Sequence, residues 1–279
     1  MLGLEYLWLV TGSPDQARRI LDFLGLKADQ FVLAEPQGVA NDTWLCGYWV
    51  VRISKDAEYL EDLFTESVAA PAAFLAGVRS AEPIHFQMES LGDIPPFSVY
   101  RRVAGSPLSR VGEMKDPHAF FRAYGVELRK VHGIKEVEDP HQYLDEAWEL
   151  EPESLLEAAA GFGLRDEVSR LLEYVQFDQA RFVHQDLHAD NVLVDEMGMP
   201  VFLDWGDAGF GDPAADFRYL PAAFLQVVLE GYVDSAPDLV SRIKLHIFDQ
   251  YVYCQKMERS YGRFGETDLV LLRALLNEC

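Results

Sequence analysis

The chain has 279 residues, 49 % of them hydrophobic, which suits one large domain or two lobes around a shared cleft and argues against wholesale disorder. With 46 acidic against 24 basic residues the formal net charge is −22, a field that repels nucleic acid and anionic membrane and attracts cationic ligands. No uninterrupted apolar run could span a bilayer, and the three cysteines, Cys46, Cys254 and Cys279, are an odd set with no close pair, which argues against a disulfide framework or a zinc site and for a reducing cytoplasm.

Residues 1–10 are apolar but short, contain Glu5 and lack a basic start, so they do not read as a signal peptide. Ser13 followed by Pro14 reads as a helix start, with Ala17, Ile20, Leu21 and Leu24 at helical spacing and Gly25 as a stop. Residues 31–34, 43–45 and 48–53 read as strands of an antiparallel sheet. Residues 59–75 have a helical pattern, with Leu63, Phe64, Val68 and Phe74 expected on the buried face. Two more strands follow at 84–89 and 97–103, joined by a turn that holds Gly92, Pro95 and Pro96.

Beyond Gly105 the pattern turns helical. Phe120, Phe121, Tyr124, Leu128 and Val131 mark one helix, and His132 at its end is expected to be a core or capping histidine. Residues 136–157 are acidic, with His141, Tyr143 and Trp148 interleaved; they read as a solvated helix pair, with the lining of a cleft as the alternative. Residues 164–175 read as an amphipathic helix.

Residues 181–217 carry the chemistry. Two short apolar runs, 192–194 and 201–203, flank an Asp/Glu/Gly/Pro turn and read as a β-hairpin. Asp186 and Asn191 precede the first run, and Asp204 ends the second, so hairpin pairing brings Asp204 close to Asn191. Oxygen ligands of this kind suit Mg2+, which borrows the rest of its shell from water and substrate phosphates. Asn191 and Asp204 are therefore the expected metal ligands. Asp186 is expected to accept or orient the proton of an attacking hydroxyl, with His188 beside the transferred phosphate. After Asp204, residues 206–211 read as a flexible glycine-rich loop, in which Asp207 is open to contact a cationic substrate. Asp212 and Pro213 then read as the start of a helix, with Asp216 in its first turn. Residues 217–232, 241–261 and 267–276 are expected to form the remaining helices; Asp249, Tyr253, Glu258 and Tyr261 could reach an acceptor or simply pack.

The ordered set His184-Gln185-Asp186, Asn191, Leu203-Asp204-Trp205 and Gly211-Asp212-Pro213 with Asp216 resembles the aminoglycoside phosphotransferase family, a small-molecule branch of the protein-kinase-like fold. The resemblance implies an α+β, two-lobed architecture: a nucleotide-binding lobe over residues 1–102 and a mainly helical catalytic lobe over 103–279. It also implies a reaction, transfer of the γ-phosphoryl group of ATP or GTP to a hydroxyl of a small molecule with Mg2+ as cofactor. The loop over residues 37–42, with Gly38 and Asn41, would cover the phosphates, and Arg52 would bind them, with Lys55 as the alternative. Glu66 would hold Arg52, with Glu58, Glu61 and Asp62 as alternatives. Residues 97–105 resemble the family's hinge, so backbone near Tyr100 to Arg102 would meet the base. The acceptor is expected to be an aminoglycoside or macrolide, its amines suited to the acidic balance. A metabolite such as choline or homoserine, or nucleotide binding without turnover, are the alternatives. The chain is expected to be a monomer or weak dimer.

Overall fold

The computed structural model describes residues 12–35, 38–147, 149–176, 180–233, 236–257 and 269–277. The readings at residues 1–10, Trp148, Glu258, Tyr261 and Cys279 lie outside these.

Helix α1 (Pro14–Phe23) begins as its sequence dictates: the Ser13 side chain accepts from Gln16 N–H, and the Gln16 side chain returns the bond to Ser13 N–H. Gly25, just past its end, is left-handed at φ +69°. The next elements are β1 (Val32–Leu33), β2 (Asn41–Cys46), β3 (Trp49–Ser54), α2 (Leu60–Leu75), β4 (Pro83–Gln87) and β5 (Phe97–Arg101). Their five strands form an antiparallel sheet in the order β1-β2-β3-β5-β4. Strand alternation divides β3. Val51 and Ile53 join Ile20, Leu21, Phe97 and Val99 in a small core, while Arg52 points to the other face. On α2 the buried face is Leu63, Ala69, Ala70 and Ala73. Phe64 and Val68 are half-buried, and Phe74, expected inside, is exposed, because small alanines rather than long side chains meet the larger core.

The larger, mainly helical part comprises β6 (Gly105–Pro107), α3 (Pro117–Val131), β7 (Asp145–Glu146), α4 (Pro152–Phe162), α5 (Arg165–Leu172), β8 (Arg181–Val183), β9 (Val192–Asp195), β10 (Pro200–Phe202), β11 (Gly209–Gly211), α6 (Leu225–Tyr232), α7 (Leu239–Met257) and α8 (Leu269–Asn277). α3 buries Phe120, Phe121, Tyr124, Leu128 and Val131 as its spacing requires. The β9–β10 hairpin pairs Val192 with Phe202 and accepts β6 along its other edge. Arg79, in the turn after α2, pairs with Asp195 and donates to Pro200 O, and its carbonyl accepts from Phe202 N–H. The segment leading from α2 is thereby fastened to the β9–β10 hairpin.

Four readings of the sequence are corrected. Residues 136–151 are not helical: Asp139 caps a turn by accepting from Tyr143 and Leu144 N–H, and β7 follows. Helix resumes only at Pro152. Residues 206–211 are not a loose loop, since Gly209–Gly211 is a strand between β7 and β8. Its glycines serve close approach; a Cβ on Gly209 would lie 2.2 Å from Asp145 O. The segment after Asp212 is a 3-10 turn, Pro213–Phe217, rather than a helix. Finally, residues 217–232 are not one helix, because Pro221 lacks an N–H and disfavours the helical region for Leu220; α6 starts at Leu225.

Candidate active site

The hairpin closes as its apolar runs direct: Leu203 N–H donates to Asn191 O at 2.9 Å, which sets Asp204 beside the loop between β8 and β9. That loop has no regular structure and is held from below. Asp216, 1 % exposed, accepts from His184 N–H at 2.9 Å, Gln185 N–H at 2.6 Å and His132 Nε2 at 2.9 Å. Burial alone would raise its pKa; the hydrogen bond and charge of His132 outweigh this and hold it below the ordinary value. His132 is thus a core histidine, its Nδ1 2.6 Å from Tyr232 Oη. His184 bridges the loop and the hairpin: Nε2–H donates to Leu203 O at 2.9 Å, and Nδ1 accepts from Asp186 N–H at 3.3 Å. Desolvation lowers its pKa, which keeps the ring neutral as these two roles require. Trp205, also buried, stacks on Phe182 and packs against His184.

On this support three expected residues converge. Asn191 Nδ2 donates to Asp186 O and to Asp186 Oδ2, both at 2.9 Å, and its Oδ1 takes no part in either bond. His188 Nε2 lies 3.4 Å from the same Asp186 oxygen, and its Nδ1 accepts from Asp190 N–H. Asp204, in a left-handed conformation at φ +62°, accepts from Arg52 Nη2 at 2.8 Å. Backbone strain at a non-glycine residue in such a place is a mark of functional sites.

Arg52 also pairs with Glu66, which is 3 % exposed, so the one guanidinium joins β3, α2 and the hairpin end. Burial alone would lower its pKa; the charges of Asp204 and Glu66 outweigh this and raise it. Asp204 is drawn below its ordinary value, against burial, chiefly by Arg52. The phenol of Tyr100 is buried against this group, and desolvation and Glu66 push its pKa well up. Lys55, the alternative to Arg52, has other partners: its Nζ donates to Gly38 O at 2.7 Å and lies 3.5 Å from the buried carboxylate of Asp42. Lys55 therefore braces the loop that holds Gly38, and Asn41 opens β2 beside it. In the hinge, Arg101 N–H and Arg102 N–H donate to Glu82 O and Tyr48 O, so both donors are in use, and the Arg102 side chain is exposed.

Other carboxylates, which the sequence offered only as alternatives, stand close by. Asp62 lies one turn before Glu66 on α2 and packs against Gly206, where an added Cβ would sit 3.0 Å from its own. Asp145 enters through β7, which pairs with β11 at Gly209, and its charge bears on Asp62 and Asp207. Burial and then Asp204 raise Asp62 to about 6; burial and then Asp186 and Asp204 raise Asp207 to about 7. Such crowding of carboxylates is relieved by a cation, and the donor set of Asn191 and Asp204 is that of an oxygen-loving divalent ion. Among the described residues no group of three or more His, Cys, Asp or Glu is placed to hold a metal by itself, so Mg2+ here would depend on nucleotide oxygens. Tyr219, Arg218 and Gln185 also bear on Asp186; no local pattern in the sequence distinguishes them.

A family model described as the phosphotransferase enzyme family matches residues 34–235. No curated protein sequence matches the chain. Among solved structures, the spectinomycin phosphotransferase APH(9)-Ia in complex with ADP and spectinomycin superposes with a TM-score of 0.62 at 14 % identity, covering 95 % of this chain and 94 % of its own. The GDP complex of wild-type aminoglycoside 2'-phosphotransferase-IIIa gives 0.58 at 16 % identity, covering 95 % and 96 %. A choline/ethanolamine kinase family protein from Mesorhizobium loti gives 0.58 at 20 % identity, covering 94 % and 90 %. At these identities the likeness establishes the fold, a small antiparallel-sheet lobe with a larger, mainly helical one. Among the described residues no helix is long and apolar enough to cross a membrane.

Proposed function

The chain belongs to the phosphotransferase enzyme family, and from that premise we propose that it moves the γ-phosphoryl group of ATP or GTP to a hydroxyl of an amine-bearing, antibiotic-like small molecule such as an aminoglycoside. The observation that carries this reading is the meeting of Asp186, Asn191 and Asp204 beside the Arg52–Glu66 pair. In the proposed reaction Asp186 accepts the proton as the acceptor oxygen attacks the γ-phosphorus, and ADP or GDP leaves. Arg52 binds the phosphates, and Glu66 keeps its guanidinium aimed at them. Asn191 Oδ1 and the Asp204 carboxylate hold Mg2+, which when bound neutralises charge on the transferring group. His188 donates to Asp186 or to a phosphate oxygen. Residues 38–41 cover the phosphates, and the hinge after Tyr100 meets the base. Catalysis is positioning and charge stabilisation, worth most where water is excluded.

The acidic wall formed by Asp62, Asp145 and Asp207 supports an amine-bearing acceptor. The match to a choline/ethanolamine kinase family protein, as good as that to an antibiotic kinase, favours a small amino alcohol as the second reading. The test is a coupled assay of ADP or GDP release with Mg2+, run with ATP and GTP against aminoglycosides, macrolides, choline and homoserine. Release stimulated by one class names the acceptor. Nucleotide binding with no release across the panel would sink the proposed acceptors.

A further inference from the structure

Asp186 stands in a loop without regular structure, yet the proposed reaction, on which this inference rests, needs its carboxylate held to a fraction of an ångström. The Asn191 amide engages Oδ2 only, which leaves rotation about the carboxylate open unless Oδ1 is also held. That second hold comes from beneath. Tyr219, 8 % exposed, donates its hydroxyl to Asp186 Oδ1 at 3.0 Å. Its ring meets His188 edge-on at 5.8 Å, so one side chain touches both residues of the loop assigned to the chemistry.

Tyr219 is itself fixed by its neighbour. The Arg218 guanidinium lies 5.0 Å over the Tyr219 ring, and Arg218 Nη2 donates to the Tyr219 oxygen at 3.3 Å and to Gln185 O. Gln185, the residue before Asp186, is left-handed at φ +68°, a costly conformation for a residue with a Cβ. It persists because three of its polar atoms are held: Asp216 takes its N–H, Arg218 binds its carbonyl, and its side-chain Nε2 donates to Asp207 O at 2.6 Å. Burial alone would lower the Arg218 pKa; the Tyr219 oxygen and the Asp186 carboxylate outweigh this and raise it, so the guanidinium stays charged.

We propose that Tyr219, anchored by Arg218, is a positioning residue that clamps the Asp186 carboxylate through Oδ1 and so orients Oδ2 toward the acceptor hydroxyl. Arg218 acts on the same loop through the Gln185 carbonyl, setting the main chain from which Asp186 projects. A hydrogen bond to a charged group that is lost without loss of the ring should appear in the chemical step and not in nucleotide binding.

The experiment compares the unaltered chain with Tyr219→Phe, Arg218→Lys and Arg218→Ala. Release of ADP or GDP from Mg-ATP and Mg-GTP is followed with water as acceptor and with kanamycin, spectinomycin and choline. Mg-ADP binding and thermal midpoints are read alongside. Tyr219→Phe should lower kcat about tenfold with nucleotide KM, Mg-ADP affinity and midpoint unchanged. Arg218→Lys should retain more kcat than Arg218→Ala, because an ammonium can still reach the Gln185 carbonyl. Equal kcat in Tyr219→Phe and the unaltered chain overturns the clamp and leaves the kinase reading standing, and so does a fall in kcat that follows a loss of midpoint. Absence of turnover and of nucleotide binding in the unaltered chain overturns both.

Discussion

Arg52 and Asp204 are 152 positions apart in the chain, and their side chains meet at 2.8 Å, with Glu66 on the far side of the same guanidinium. The cation proposed to bind phosphate thus holds the carboxylate proposed to bind the metal. Arg52→Ala should remove phosphate binding and leave the Glu66 carboxyl, 3 % exposed and raised by burial to about 7 even beside Arg52, without its partner. The expected cost is about 3–5 kcal/mol of stability and at least about a hundredfold in kcat/KM, read by urea unfolding and steady-state assay. Arg52→Lys should recover most of the stability and little of the activity, since an ammonium cannot span both carboxylates.

Asp186→Ala should lower kcat by about a hundred- to ten-thousand-fold, the range a positioned base supplies. Mg-nucleotide affinity should change little, because Asp186 projects from the loop and the Asn191 amide retains the Asp186 carbonyl as a partner. Parallel loss of nucleotide binding, measured by calorimetry, would refute the assignment of Asp186 as base.

Asn191→Ala should raise the Mg2+ concentration needed for half-maximal nucleotide binding by about ten- to a hundredfold. Nucleotide binding in EDTA should be the same in the variant and the unaltered chain. An effect of equal size with and without Mg2+ would show that Asn191 acts only through its bond to Asp186.

Asp207 and Asp62 make stability fall as pH rises. Each has a folded pKa above its ordinary 3.8, Asp207 at about 7 and Asp62 at about 6. Between the ordinary and the raised value the folded chain holds a proton that the unfolded chain has released, so raising the pH through this window favours unfolding. The penalty is complete above about 7. The thermal midpoint of the unaltered chain should decline between pH 5 and pH 8, and Asp207→Asn should flatten the upper part of that decline. Saturating Mg-ADP should flatten it too, since a cation in the cleft relieves the same repulsion. A midpoint that is level over this range would contradict the crowding.

Asp216→Ala should destabilise about as much as Arg52→Ala. It orphans two backbone N–H groups and the His132 ring, all buried, at a cost of about 3–5 kcal/mol. Asp216→Asn can keep one acceptor oxygen for the backbone donors and should cost less, as chemical denaturation would show.

The hairpin in residues 181–217 was legible because hairpin pairing is local. Once the two apolar runs pair, Asn191 and Asp204 must approach, whatever surrounds them. Alternation along β3 likewise fixed the side of the sheet that Arg52 faces. Legibility failed where backbone packing overruled composition. Gly209 and Gly211 look like loop residues, but they are glycines because Asp145 and Ala147 crowd them. The acidic residues near 145 look like a solvated helix, but Asp139 caps a turn that leads to β7, which pairs with β11.

The sequence by itself therefore determined the kinase-like family, the loop and hairpin that hold Asp186, Asn191 and Asp204, and the helices with a clean apolar face. The family came from the resemblance carried by His184 to Asp186, Asn191, Asp204 and Asp212; the hairpin and the helices rest on short-range periodicity and on pairing between neighbours in the chain. Only the tertiary structure decided that Arg52 and not Lys55 faces Asp204, that Glu66 among four acidic candidates is its partner, and that Tyr219 and Arg218 bind the loop that carries Asp186. Those choices depend on how α2, the sheet and residues 213–219 are docked on one another, a long-range packing that no local spacing encodes.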